Sequence, residues 1–499
     1  MAAGAEDARA VVERFLADSR EPAVLEPGEE PLPLQPGAFS LEVRAGRLTL
    51  QAWDATRNFA RRISGLGEAQ PGKLELRVER LGKRQGQLFL IDLARGRPSE
   101  IRRRGTRLVF REQFRRFLSR QFPGWKIAEL STEANLQESL SPVYPRALLR
   151  KGDSRRAALA CPAEAGAAAG ALTFALVWLD HLRRRQPRPA VEELVLYLPE
   201  GHTRPTCLRL PFLDPRAAHF TAFVYSEQGY EECLDPRDYG NLDTRLEPCR
   251  AFPLEKPPQL AAWLERLGRR PEVETVSRRD GGVSFRVRGL EFARAAETGL
   301  VFGLDRRAAA SPANFAEIER LAAELARLRS PDAADRDHPL YRLHPEAWLE
   351  SQARASLERL DPSLLPAPVY GQVPAVAGGE RGVIDLLAAG RDGRLAVLEL
   401  KASEDIHFPL QALDYWMRVN WHLERGEFTG RGYFPGLALR AEAPRLLLVA
   451  PALDFHPKTE VVLRYFPPGI EVERVGLGAD WRQEVKVVFR LRGAEHPVR

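Results

Sequence analysis

Cysteine, methionine and lysine are all scarce in this 499-residue chain. The four cysteines (Cys161, Cys207, Cys233 and Cys249) are scattered and form no Cys-x-x-Cys pair, so they support neither a zinc site nor a disulfide framework. Unpaired cysteines are typical of a reducing compartment, and we therefore expect a cytoplasmic protein. The sequence has no Gly-x-x-x-x-Gly-Lys-Ser/Thr motif, so no nucleotide cofactor is expected.

Long apolar segments are also absent from the sequence. The longest largely apolar run, residues 165–179, has 15 residues and is short for a membrane span. It predicts a buried helix, and no membrane partner is expected. The first residues lack the basic start and apolar core of a signal peptide. A hydrophobic content of 44% and a charged content of 28% are typical of a soluble globular protein.

Lysine is scarce because arginine takes its place. Of the 74 basic residues eight are lysine, which leaves 66 arginines, and the net charge is a modest +6. Between Lys256 and Lys458 the only lysine is Lys401. Lysine is a compact point charge whose pKa shifts readily, and arginine does not replace it in such roles. Lys401 is therefore a candidate functional residue.

The chain is too long for a single hydrophobic core, and its patterns predict an α/β protein of several domains. We expect a helix and a Pro/Glu-rich linker over residues 1–38 and a β-rich domain of hairpins over 39–110. An α/β domain is predicted over 111–260, a β-hairpin and helix connector over 261–337, and a second α/β domain over 338–499. Residues 201–260 are Pro-rich, with short β-like pieces.

The most basic segment lies between residues 102 and 120, where eight arginines face one acid, Glu112. Residues 111–121 have the apolar spacing of an amphipathic helix. Two interpretations are open: a face that contacts nucleic-acid phosphates, or a solvated surface in an arginine-biased protein. The first makes these residues candidate nucleic-acid contacts: Arg102, Arg103, Arg104, Arg107, Arg111 and Arg115.

Three charged residues stand inside two apolar runs that read as buried strands. Asp385 lies in the first run, a turn follows, and Glu399-Leu-Lys401 ends the second run. Alternate residues of a strand share a face, so Glu399 and Lys401 point the same way and Asp385 can converge with them. Two carboxylates so placed suit a hard cation such as Mg²⁺, and an adjacent lysine can orient or deprotonate water. The alternative is a buried ion-pair network.

Two further motifs flank these residues: Glu350 lies on a preceding predicted helix, and Gln411-x-x-x-Tyr415 lies on a following one. Together they resemble the PD-(D/E)XK nuclease superfamily and its RecB-like branch over residues 338–450. The arrangement is also similar to the C-terminal domain of the NucS/EndoMS mismatch endonucleases. The resemblance implies a restriction-endonuclease-like α-β-β-β-α-β core. It also implies hydrolysis of DNA phosphodiester bonds with Mg²⁺ or Mn²⁺, in DNA repair, recombination or defence.

The resemblance implies a role for each matched residue. Asp385, Glu399 and Glu350 would ligate the metal ion, and Lys401 would activate the nucleophile. Gln411 would orient that nucleophile or contact a backbone phosphate. Four residues in or near this set have alternative interpretations. Tyr415 is a nucleic-acid contact or a core residue, Glu346 competes with Glu350, and His407 and Asp405 could face the site, with a helix cap the expected role of Asp405.

The α/β domain that begins at residue 111 shows the same predicted order of elements as the C-terminal one. Our alignment places Ala160 at the position of Glu399, and Pro162 at that of Lys401, so the acids are missing. We hypothesise a degenerate, inactive nuclease-like domain, which a different strand order would refute. Two alternatives to an active nuclease are a non-catalytic nucleic-acid-binding protein of nuclease fold and a scaffold. The sequence leaves the oligomeric state open.

Overall fold

The chain forms a mixed α/β structure with two compact units, Met1–Gln113 and Phe114–Arg499. In a computed structural model the described residues are 5–25, 31–34, 39–44, 46–53, 58–80, 84–95, 98–164, 166–226, 230–239, 244–249, 257–278, 281–296, 299–377 and 380–495. Over these ranges, none of the helices has both the length and the apolar character needed to traverse a bilayer.

The first unit is built on a seven-stranded antiparallel sheet with the order β2-β1-β7-β6-β5-β4-β3. Its elements are α1 (Ala5–Asp18), β1 (Pro22–Leu25), β2 (Leu32–Pro33), β3 (Phe39–Arg44), β4 (Arg47–Trp53), β5 (Asn58–Gln70), β6 (Lys73–Arg80) and β7 (Arg84–Asp92). Alternation of apolar and charged residues in β6 buries Leu74, Leu76 and Val78 on one face.

One sequence prediction for this unit was wrong, because the predicted linker contributes β1, which pairs with β7 at one side of the sheet. The two predicted hairpins are present as β3 with β4 and β6 with β7. Strand β5, which was not predicted, lies between them and pairs with both β4 and β6. Helix α2 (Pro98–Gln121) follows, and the boundary between the two units falls within it.

The second unit begins with a six-stranded sheet of order β13-β12-β11-β10-β9-β8. Its elements are β8 (Lys126–Ser131), β9 (Arg146–Lys151), β10 (Ser154–Ala160), α3 (Ala167–Arg185), β11 (Glu193–Pro199), α4 (Arg204–Arg209), β12 (His219–Tyr225) and β13 (Glu231–Leu234). Strands β10, β11 and β12 are parallel, and the other neighbours are antiparallel. The piece from Thr206, predicted to be β-like, starts in helix α4, whose first turn contains Pro205.

A smaller five-stranded antiparallel sheet with its own core stands where a hairpin and a helix were predicted. After β14 (Thr244–Arg245), its elements are α5 (Pro258–Gly268), β15 (Glu274–Ser277), β16 (Val283–Val287), β17 (Leu290–Ala296), β18 (Gly299–Phe302), β19 (Ala308–Ala309) and α6 (Phe315–Leu328). The strands pair in chain order from β15 to β19.

The third large sheet has seven strands in the order β14-β20-β21-β22-β23-β24-β25. Its elements are α7 (Pro339–Arg342), α8 (Pro345–Ala355), α9 (Leu357–Leu360), β20 (Tyr370–Ala377), β21 (Glu380–Ala389), β22 (Leu395–Leu400), α10 (Phe408–Glu424), α11 (Glu427–Gly430), β23 (Arg445–Pro451), α12 (Thr459–Leu463), β24 (Val472–Leu477) and β25 (Val487–Arg492). Strands β22, β23 and β24 are parallel, and the near-continuous apolar residues of β22 and β23 are buried. Strand β24 is also buried, although it contains Glu473 and Arg474.

The six-stranded sheet and strands β20 to β25 share one topology. We call residues 114–234 the first α/β module and residues 338–495 the second. In both, the strands lie in chain order, the third, fourth and fifth are parallel, and a long helix joins the third to the fourth. The fourth and fifth strands pair residues 26 positions apart in each, Leu194 with Phe220 and Leu446 with Val472. The duplication hypothesis requires this shared strand order.

Candidate active site

Two adjacent strands of the second α/β module bring the predicted acids together. Strands β21 and β22 are antiparallel, and Leu386 pairs with Leu398. This register places Asp385 next to the end of β22, where its Oδ2 accepts a hydrogen bond from the Leu400 N–H at 2.8 Å. The carboxyl groups of Asp385 and Glu399 are neighbours, close enough for the charge of Asp385 to raise the pKa of Glu399. Asp385 and Glu399 therefore lie side by side, as the alternation of side chains along the two strands predicted.

Glu399 is deeply buried, since every residue of β22 is buried and Glu399 is 2% exposed. Its Oε2 atom is enclosed and has no hydrogen-bond partner among the described residues. Neither Glu399 nor Asp385 forms an ion pair within the described ranges. A buried carboxyl oxygen without a partner is costly for folding, which marks this position as a site rather than as ordinary sheet.

Burial changes the protonation of this pair. It raises the pKa of Asp385 to about 7, although the Leu400 N–H favours the ionised form. Burial also raises the pKa of Glu399 well above its ordinary value, and the neighbouring Asp385 carboxylate raises it further. Two close carboxyl groups in an apolar environment cannot both ionise easily. The pair therefore retains a proton near neutral pH, at a place that a cation could take.

Lys401 lies just beyond β22, where its N–H donates to the Val449 carbonyl at 3.0 Å. Its Nζ is 3.8 Å from Glu346 Oε1 and 3.6 Å from Asp405 Oδ2. Burial disfavours the charged ammonium, but the surrounding carboxylates outweigh it, so the pKa of Lys401 is raised. Lys401 is therefore a fixed positive charge beside the acid pair rather than a neutral base.

Glu350, the helical acid of the predicted metal site, is held by two arginines. Its Oε1 accepts a hydrogen bond from Arg354, one turn later on α8, and lies 3.6 Å from Arg286 Nη1 on β16. It is close enough for its charge to raise the pKa of Asp385. Sequence reasoning missed both arginines. The four-residue spacing signals the Arg354 pair, whereas nothing local signals Arg286.

Glu346, the alternative to Glu350, lies in the first turn of α8 and is 49% exposed. Its carboxylate contacts Lys401, and its charge contributes to the raised pKa of both Asp385 and Glu399. Glu350 thus faces arginines, and Glu346 faces the lysine of the site. No group of three or more His, Cys, Asp or Glu side chains is arranged to hold a metal ion in the part of the chain that the structure describes.

Asp405 and His407 precede α10. Asp405 Oδ1 accepts a hydrogen bond from the His407 N–H at 2.7 Å and its other carboxylate oxygen contacts Lys401. The residue that caps α10 is His407, and among the described residues no side chain caps the helix, so Asp405 is not the helix cap that the sequence predicted. The His407 ring is directed to α3 instead, where its Nδ1 is 3.0 Å from Thr173 Oγ1. Burial lowers the pKa of His407.

Gln411 and Tyr415 lie one turn apart on α10. Gln411 is half-buried, and its side chain makes no hydrogen bond to another described residue. Tyr415 is 6% exposed and packs in the main hydrophobic core. This burial matches the core interpretation of Tyr415 and leaves Gln411 as the polar side chain of the pair with unused hydrogen-bonding capacity.

The candidate nucleic-acid arginines all lie on α2. The side chains of Arg102, Arg103 and Arg104 lie outside the described residues. Arg107 and Arg111 are half-buried, and Arg111 pairs with Glu112 at 3.0 Å. Arg115 is exposed. The apolar side chains of this segment are buried as predicted: Phe114, Phe117 and Leu118.

The donor set fits a hard divalent cation. Asp385 and Glu399 offer carboxylate oxygens only, as Mg²⁺ and Mn²⁺ prefer. The unpartnered Oε2 of Glu399 and the raised pKa values of both acids are the features expected where a cation would replace a proton. Further ligands would have to come from water or substrate.

Comparison with known proteins identifies no family for this chain. No family model matches the chain, and no curated protein matches it.

Proposed function

We propose that this protein is a metal-dependent nuclease that hydrolyses phosphodiester bonds of DNA. The observation that carries the proposal is the pair formed by the half-buried Asp385 and the buried Glu399, with one carboxyl oxygen of Glu399 unpartnered among the described residues, beside the charged Lys401. The motif resemblance adds the expected order of Glu350, Asp385, Glu399-x-Lys401 and Gln411 along the chain.

A structural ion-pair network accounts poorly for this pair. The same protein shows what such a network looks like, because Glu350 is neutralised by Arg354 and Arg286. Asp385 and Glu399 have no comparable cation in ion-pair contact among the described residues. Burying two acids without such a partner destabilises the fold, and a site that gains its cation from solution explains why they are present.

Each residue has a role that follows from its position. Asp385 and Glu399 would hold Mg²⁺ or Mn²⁺, which when bound supplies Lewis acidity and a more acidic water. Lys401 remains an ammonium and can stabilise the negative charge that develops on the phosphate oxygens. Glu346 and Asp405 position its Nζ through their contacts at 3.8 and 3.6 Å. Gln411 is free to contact a phosphate oxygen or the attacking water.

Cleavage of labelled single-stranded, double-stranded and branched DNA with Mg²⁺ or Mn²⁺ tests the proposal. We expect Glu399→Gln and Lys401→Met each to lower the single-turnover rate at least about 100-fold, the typical loss for a group that stabilises transition-state charge. The matched control is Glu358→Gln, an exposed glutamate paired with Arg391 on the surface, which should cleave like wild type. Wild-type protein that cleaves none of these substrates would refute the nuclease proposal, and unchanged cleavage by both variants would refute the site.

A further inference from the structure

Equivalent hydrogen bonds fix how the two α/β modules correspond. In the second module the Lys401 N–H donates to the Val449 carbonyl at 3.0 Å, and in the first the Cys161 N–H donates to the Tyr197 carbonyl at 2.8 Å. Val449 and Tyr197 each lie two residues before the proline that ends the fourth strand. Cys161 therefore occupies the position of Lys401.

The same register assigns the counterpart of Glu399. It is Leu159, two residues before Cys161, and not Ala160 as the sequence alignment proposed. That alignment was displaced by one residue, because the run of small apolar residues in β10 offers no charged residue that would anchor it. The first module thus has leucine and a thiol where the second has glutamate and lysine.

The counterpart of Asp385 is an arginine. Ala147 pairs with Ala158 in the first module as Leu386 pairs with Leu398 in the second, so Arg146 matches Asp385. Arg146 is 5% exposed, and its guanidinium donates to backbone carbonyls within its own module. A buried arginine and a leucine offer no ligand to a divalent cation, so this position cannot form a second metal site.

The helices of the two modules pack reciprocally. Long helix α3 of the first module contacts α12 of the second, and long helix α10 of the second contacts α4 of the first. Helices α4 and α12 are themselves equivalent, because each follows the fourth strand of its module. The side chains between them form one continuous hydrophobic core. The contacts between the two modules are therefore those expected between two copies that are related by a two-fold axis.

Two ion pairs also link the modules, one in each direction. Arg209, at the end of α4, forms a bidentate pair with Asp414 on α10 at 2.9 and 2.7 Å. In the other direction Arg464, just after α12, lies 3.1 Å from Asp180 on α3. Each pair links the short helix of one module to the long helix of the other. The helical face of the second module is thus covered by its inactive counterpart.

We propose that the first module takes the place that a second catalytic copy would occupy, so that the chain is a single-centre nuclease that nicks one strand of a duplex at each binding event. This inference rests on the proposed function. A second chain cannot pair through the covered face without displacing the shared core. One centre hydrolyses one phosphodiester bond, so a double-strand break requires a second, independent encounter.

Time courses on supercoiled plasmid with Mg²⁺ or Mn²⁺ test the inference. We expect complete conversion to open circles before linear DNA accumulates, with an initial rate proportional to protein concentration. Direct appearance of linear DNA without an open-circular intermediate, or a rate that rises with the square of concentration, would overturn it. Absence of any cleavage would instead overturn the proposed function.

Mixing experiments and sedimentation separate the two proposals further. With DNA in excess, a tenfold excess of the Glu399→Gln chain should leave the activity per wild-type chain unchanged. Suppression of that activity would mean that two chains act together. Sedimentation of the Glu399→Gln chain on a short duplex tests the pairing without cleavage: one 56.0 kDa chain per duplex supports the inference, and two chains assembled on it contradict it.

Discussion

The substitution Asp385→Asn should stabilise the metal-free protein and abolish the proposed cleavage of DNA. The asparagine has nearly the same shape, and its side-chain oxygen can still accept the hydrogen bond of the Leu400 N–H. Its amide group can donate to the neighbouring carboxylate of Glu399. What the substitution removes is the cost of ionising this carboxyl group, together with a proposed metal ligand.

The size of this effect follows from the pKa. Burial raises the pKa of Asp385 from 3.8 to about 7. Each pKa unit corresponds to about 1.4 kcal/mol, so the full cost is about 4 kcal/mol. The folded state keeps the proton more tightly than the unfolded state, so the free energy of unfolding of the wild type falls as pH rises from 3.8 to about 7. Below this pH range Asp385 is protonated in both states and does not destabilise the fold. Above the range the full cost of ionising it lowers the free energy of unfolding.

Urea unfolding with a chelator at several pH values measures the difference. Asp385→Asn should be more stable than wild type by about 1.5 kcal/mol at pH 5 and by about 2–4 kcal/mol at pH 8. Glu358→Gln, the exposed control, should show no such trend. Mg²⁺ at pH 8 should stabilise the wild type alone, and so should reduce the difference in free energy of unfolding between the variant and the wild type. A variant less stable than wild type at pH 8, or a difference independent of pH, would refute the account of the buried pair.

Three further predictions test the lysine and the module interface. Lys401→Met should lower single-turnover cleavage at least about 100-fold with little change in DNA affinity by fluorescence anisotropy; loss of affinity alone would contradict its role. Arg209→Ala leaves the Asp414 carboxylate unpaired and should cost about 2–4 kcal/mol in urea unfolding, whereas the double variant Arg209→Met/Asp414→Leu should be nearly neutral. Gly170→Ala sets a methyl group 2.8 Å from a tyrosine oxygen and should cost about 1–3 kcal/mol, while Gly430→Ala, which meets open space, should not destabilise.

The strands and long helices of both α/β modules could be predicted because their signals are local. Apolar runs bounded by turn residues predicted β9, β10, β21 and β22, and apolar spacing predicted α3 and α10. Helix α4 was missed because six residues are too few to distinguish a helical period from a strand period. Strand β5 was missed because arginine, glycine and glutamate dilute its apolar alternation.

In the candidate site, too, local features could be predicted and contacts between distant segments could not. The convergence of Asp385 and Glu399 could be predicted because the turn between β21 and β22 is short and its register is determined nearby. The pairing of Glu350 with Arg286 could not, because 64 positions separate the two residues. The contact of α8 with the five-stranded sheet, which the Ser351–Glu274 hydrogen bond also shows, brings them together. The one-residue error in aligning the modules arose where small apolar side chains are interchangeable.

By itself the sequence determined which charged residues stand inside apolar strands, and hence which side chains could form a site. Local periodicity suffices for this, because neighbours along a strand or helix share a face by geometry alone. Tertiary structure alone decided that the acids lack a neutralising partner among the described residues, that Lys401 is held by Glu346 and Asp405, and that the two modules pack reciprocally. These properties depend on contacts between distant segments, which burial and charge pairing select only once the chain has folded.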